Sequence, residues 1–144
     1  MNDWTRAYAP LLGRILVGGF FLWNGIQAVL NLDATIGTFI QTGLPQPTTL
    51  ALLAAVLEVL GGIALVLGFK TRLSAILLAI YLVLVSGLLM ATGSSSPAQT
   101  QTFLGHMAIV GGLLYICAYG SGKYAVEYIQ KTAGSRGRRF LLVI

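Results

Sequence analysis

The sequence predicts an all-α integral membrane protein: a four-helix bundle with antiparallel neighbouring helices and both termini on the cytoplasmic side. Three observations carry this. With 56% hydrophobic and only 9% charged residues, the chain is too apolar for a water-soluble domain. Four apolar stretches, at about 11–30, 48–69, 73–91 and 103–119, approach or reach the ~20 residues a helix needs to cross a hydrocarbon core of about 30 Å. Finally, the Lys and Arg residues gather at one end of these stretches, as the positive-inside rule requires of cytoplasmic ends.

Met1 to Pro10 forms a polar lead with the interfacial aromatics Trp4 and Tyr8, and Pro10 suits the first turn of a helix. The apolar run that follows is too long for a signal-peptide core and lacks an Ala-x-Ala cleavage site, so it reads as the first span. Asn31 to Pro47 contains no Lys or Arg. Within it Ile36, Phe39 and Ile40 recur at helical spacing after Asp33, and Gly43 and Pro45 stop a helix, which predicts a short surface helix. The turn Gly68 to Arg72 is so short that the second and third spans must form an antiparallel hairpin. Gly93 to Thr102, uncharged and rich in Ser and Gln, reads as a second outer loop before the fourth span. Residues 1–122 thus make the membrane domain and 123–144 a basic cytoplasmic tail, with a short interfacial helix over Lys123 to Lys131. Arg136, Arg138 and Arg139 in that tail suit either anionic lipid or solvent.

One cysteine, Cys117, excludes an intrachain disulfide, and one histidine, His106, excludes bis-histidine ligation; no metal centre is expected. The net charge of +5 does not point to nucleic acid, because the bases serve membrane topology.

At about 100° per residue the first span aligns Arg14, Gly18, Phe21, Gly25 and Ala28. The second aligns Ala51, Ala54, Ala55, Glu58, Gly61 and Gly62, placing its single carboxylate on a small-residue face that permits close packing in lipid. The fourth aligns Gly105, Ala108 and Gly112. At 1.5 Å per residue, the pairs Gly18-Gly19, Gly61-Gly62 and Gly111-Gly112 share a level, read as the waist of the bundle. Arg14 lies about 10 Å from Glu58 in depth and leans away from it, so it should snorkel to cytoplasmic phosphates or meet the Lys70 turn. Arg72 is a structural or lipid-facing base of the same kind. Asn24 is the better-placed partner for Glu58. With Gln27 and His106 these residues suggest an outward-opening polar pocket; the alternative is a set of ordinary interhelical hydrogen bonds.

Arg14, Gly18, Phe21 and Gly25, then Gly43-Leu44-Pro45, Glu58 with Gly61-Gly62, Gly68 with Thr71-Arg72, and Gly111-Gly112 before Gly120-Ser121-Gly122-Lys123-Tyr124 occur in an order and spacing that resembles the DoxX family of small bacterial membrane proteins. The resemblance spans about Arg14 to Tyr124. It implies a multi-pass protein of the inner membrane, often an oxidoreductase component, with relatives linked to thiosulfate and quinone chemistry or to oxidative stress. The sequence departs from the family pattern at Ala28, where a Lys is common, and in the basic tail.

Two functions follow as expectations. The first is a membrane subunit of a redox or quinone-linked process, which binds a small ligand, quinone for example, near Glu58 and depends on a partner oxidoreductase for electrons. The second is a non-enzymatic module that anchors partners or moves a small solute or protons. Self-association is left open by the sequence.

Overall fold

The computed structural model describes residues 3–41, 43–92 and 96–120. Five helices follow in order: α1 (Asp3–Leu30), α2 (Leu32–Gln41), α3 (Pro47–Leu67), α4 (Thr71–Thr92) and α5 (Pro97–Tyr119). All but α2 are long and apolar enough to cross a membrane. The predicted interfacial helix and basic tail beyond Gly120 lie outside the described residues.

Two boundaries differ from the sequence reading. α1 begins at Asp3, so Pro10 lies inside the helix and not in its first turn; proline removes one backbone bond there, and the helix tolerates it near its end. α5 begins at Pro97, six residues earlier than predicted, because the stretch read as a loop holds a helix start. Ser96 is the N-cap, its Oγ accepts from the Gln99 backbone N–H at 3.2 Å, and Pro97 occupies the first turn. At the α3–α4 hairpin, Gly68 is left-handed (φ 74°) and the Phe69 N–H reaches the Ala64 carbonyl at 2.9 Å, which closes the end of α3 and reverses the chain within three residues.

Around the bundle α1 packs on α3, α3 on α4, α4 on α5 and α5 on α1, so every neighbouring pair is antiparallel. The half nearer the α3–α4 hairpin is packed at its centre, with a smaller cavity of about 180 Å³ left between α1 and α5. Phe21, Leu65, Ala75, Leu78, Leu113 and Ile116 form one buried apolar cluster there, with Phe21, Leu65, Leu78 and Leu113 fully enclosed. Large apolar side chains such as Leu16, Leu60, Leu84 and Leu104 point outward from every spanning helix, where lipid covers them.

The glycine level is real on two helices and absent on the third. A Cβ on Gly62 would stand 2.9 Å from the Gly18 carbonyl oxygen and from the Leu22 backbone nitrogen, and one on Gly25 2.9 Å from the Val59 nitrogen, so α1 and α3 touch backbone to backbone. Gly61 instead faces the end of the Leu78 side chain on α4. Gly19, Gly105 and Gly111 have nothing within 4 Å, and Gly112 has only an ordinary 3.6 Å approach to Val17. The predicted small face of α5 is therefore not its packing face. α5 packs through Leu113 and Ile116, because its neighbours present gaps that larger side chains fill.

Candidate functional site

Above the apolar cluster, in the half of the bundle nearer the loops, the helices part around an open cavity of about 350 Å³. α1 contributes Phe20, Asn24 and Gln27, spaced so that they share one helical face, and Ala28 beside them. α3 contributes Ala54, Ala55 and Glu58, whose small residues leave the space in front of the carboxylate. α4 supplies Tyr81, Leu82 and Val85; α5 supplies His106 alone. The short helix α2 covers this half with Ala34, Thr35, Thr38 and Phe39, tied to α1 where the Thr35 hydroxyl donates to the Ala28 carbonyl at 3.2 Å. All four ligand-binding candidates, Asn24, Gln27, Glu58 and His106, line this one cavity.

Their partners differ from the expectation. Glu58 is bonded by Tyr81, whose hydroxyl donates to Oε1 at 2.8 Å. Asn24 does not reach the carboxylate: its Nδ2 donates to the Phe20 carbonyl one turn back at 3.1 Å, a local bond that costs no helix rearrangement. Asn31 Nδ2 donates to the Gln27 side-chain and backbone oxygens at 3.1 and 3.2 Å, which places both residues toward the loop end. On α5, His106 Nδ1 lies 2.6 Å from the Ser86 hydroxyl of α4, and its ring stands edge-on to Phe20. Tyr81 and Ser86 are the residues that sequence reasoning missed. Five positions apart on α4, they reach toward α3 and α5 respectively, and the signal for them was the same as for Asn24: hydrogen-bonding side chains within an apolar span.

The Ser86–His106 bond joins α4 to α5 near the loop end. Ser86→Ala is expected to lower stability by about 0.6–1.7 kcal/mol, the range for polar contacts between membrane helices, in a reversible SDS unfolding titration. A change indistinguishable from zero would mean the bond does not hold the pair.

Among the described residues no Lys or Arg lines the cavity, and Glu58 is its one carboxylate. Among the described residues no three of His, Cys, Asp or Glu converge in a metal-binding group.

The sequence model of the DoxX family matches residues 9–91, more than half of the chain and the whole of α2, α3 and all but the last residue of α4. The chain belongs to the DoxX family. It is also 29% identical over 127 residues to "Inner membrane protein YphA" of Escherichia coli (strain K12), a match that covers 85% of this chain and 91% of that protein. No solved structure matches. The family, this relative and the four apolar helices together make the chain a multi-pass inner-membrane protein. Within the DoxX match fall Asn24, Gln27, Glu58, Tyr81 and Ser86; His106 lies beyond its end.

Arg14, also inside the DoxX match, is not a lipid-facing base. It is 1% exposed and donates through Nη2 to the Val66 carbonyl at 3.4 Å, held between α1 and the end of α3 just before the hairpin. Snorkelling loses to this geometry because the close approach of α1 and α3 at Gly18 and Gly62 brings that carbonyl within reach. Arg72 is exposed, and its guanidinium lies alongside Gly120 at the end of α5.

Proposed function

We propose that this chain is a membrane-embedded binding module that receives a small polar molecule at Glu58 through the loop end of the bundle, with both termini cytoplasmic. One observation carries the reading: a cavity of about 350 Å³ presents the Glu58–Tyr81 pair on its wall and meets the apolar cluster at Leu82, a cluster member, and at Phe20, which packs against it. A polar cleft that ends blind on close-packed side chains suits binding better than conduction. A carboxylate that stays charged in a bilayer costs on the order of 2.5–3.5 kcal/mol on insertion scales, which the one bond from Tyr81 offsets only in part, and ionisable side chains inside membrane spans mark functional sites.

A quinone-linked redox subunit is the second reading, favoured by the Glu58–Tyr81 pair and by His106, bonded to Ser86 behind it, on different walls of one cavity. Reducing a quinone to its quinol takes two electrons and two protons. Glu58 and His106 are proton carriers; the electrons come from a partner oxidoreductase.

Thermal unfolding in nanodiscs tests both readings against a panel of short-chain quinone, small alcohols, carboxylic acids and alkylammonium salts. A bound member at about 100 times its dissociation constant adds about 2.7 kcal/mol to stability, a shift that Glu58→Gln removes. If no compound shifts the wild-type protein, or the shift survives in Glu58→Gln, the binding reading fails. If quinone alone is without effect, only the second reading goes.

A further inference from the structure

We infer that the cavity is a site for a small organic cation, a protonated amine or quaternary ammonium group, with Glu58 as its counter-ion. The inference rests on the binding reading of the same cavity and names its ligand class. The distribution of charge along the chain supports it. All nine Lys and Arg residues either precede Ile15 of α1, lie in the Lys70 to Arg72 segment, or follow Tyr119. Among the described residues, none belongs to the half that holds the cavity. Of the four acids, two are in that half: Glu58 on the wall and Asp33 in the first exposed turn of α2, next to the lining residues Ala34 and Thr35. A ligand arriving from the loop end therefore meets a carboxylate at the surface and a carboxylate inside, with no Lys or Arg among the described residues that line the cavity. Low-dielectric walls focus such a field and raise the local concentration of cations.

The walls suit the same ligand. Phe20, Phe39 and Tyr81 line the cavity, and aromatic faces attract alkylammonium groups through the ring quadrupole. Asn24, Gln27 and the Thr35 and Thr38 hydroxyls add neutral oxygens that an ammonium N–H can use. Tyr81 occupies one oxygen of the Glu58 carboxylate, Oε1, in a geometry that holds the group on the cavity wall. An anionic ligand would face Glu58 without a cation to offset it, and a neutral one would leave the carboxylate uncompensated.

Isothermal titration of the full chain in zwitterionic nanodiscs near neutral pH, with butylammonium and tetramethylammonium chloride as probes, tests the assignment. Butanol serves as the neutral analogue and a short-chain quinone as the competing class. Saturable binding of the ammonium ions is expected, weakened about tenfold or more in Glu58→Gln. A second variant works from the adjoining helix α1. Ala28 lines the cavity, so Ala28→Lys places a tethered cation there and is expected to abolish ammonium binding, whereas Ala28→Met, similar in length and uncharged, weakens it less. Circular dichroism melts establish that each variant folds. Equal binding of butanol, unchanged affinity in Glu58→Gln, or equal effects of lysine and methionine at position 28 would overturn the cation assignment. Glu58-dependent binding of quinone without ammonium binding would overturn it and leave the binding reading standing; no binding by any probe would overturn both.

Discussion

Gly62→Ala is expected to destabilise the bundle by about 1–3 kcal/mol, and Gly62→Leu by more, in SDS or thermal unfolding of the reconstituted protein. The new Cβ would sit 2.9 Å from the Gly18 carbonyl oxygen and 2.9 Å from the Leu22 backbone nitrogen, and neither backbone atom can turn aside as a side chain can. α1 and α3 must separate. That motion also carries Asn24 and Gln27 away from Glu58, so cavity binding should weaken along with stability. Two comparisons make the result specific. Gly61→Ala meets only the end of the Leu78 side chain, which can change rotamer, and should cost less. Gly19→Ala and Gly111→Ala meet nothing within 4 Å and should be neutral or slightly stabilising, since alanine favours a helix over glycine by about 0.8–1 kcal/mol. Equal losses at positions 19 and 62 would show that glycine content, not this contact, matters.

The second large effect is expected at the Glu58–Tyr81 pair. In a double-mutant cycle of Glu58→Gln and Tyr81→Phe, the coupling energy for folding should reach about 0.6–1.7 kcal/mol, because polar contacts between membrane helices compete with partners available before the helices associate. For ligand binding the two variants should diverge. Glu58→Gln removes the charge and is expected to remove most of the affinity. Tyr81→Phe keeps the charge and the ring, loses the 2.8 Å bond that positions the carboxylate, and should cost only a few-fold. If Tyr81→Phe proved as damaging as Glu58→Gln while folding was intact, the phenol itself would be the ligand contact and the carboxylate its support.

Much of this architecture was readable from residue order. The number of spans, the short helix after Asn31, the hairpin at Gly68 and the placing of Glu58 among Ala51, Ala54, Ala55 and Gly62 follow from local rules. Spans need length and apolarity, turns need glycine, and a lone acid in lipid must face protein. The stripe Arg14, Gly18, Phe21 and Gly25 is buried as its spacing implies. α5 shows the limit. Its apolar residues surround the helix almost evenly, so periodicity does not fix its rotation, and of the glycines read as its packing face Gly105 lies open while Gly112 makes only an ordinary contact with Val17. The helix start at Ser96-Pro97 was present in the sequence as a capping signal, outweighed by the loop-like composition around it.

By itself, the sequence determined the membrane, the four crossings and the fact that one acid must be sheltered among them, since these depend on the chemistry of each residue and its immediate neighbours. Only the tertiary structure decided that Tyr81 and not Asn24 bonds that acid, that Ser86 meets His106, that Arg14 is enclosed beside Val66, and that the polar cavity opens in the loop half. Those outcomes depend on how far apart helices stand and how each is rotated, which many side chains set together and no single stretch encodes.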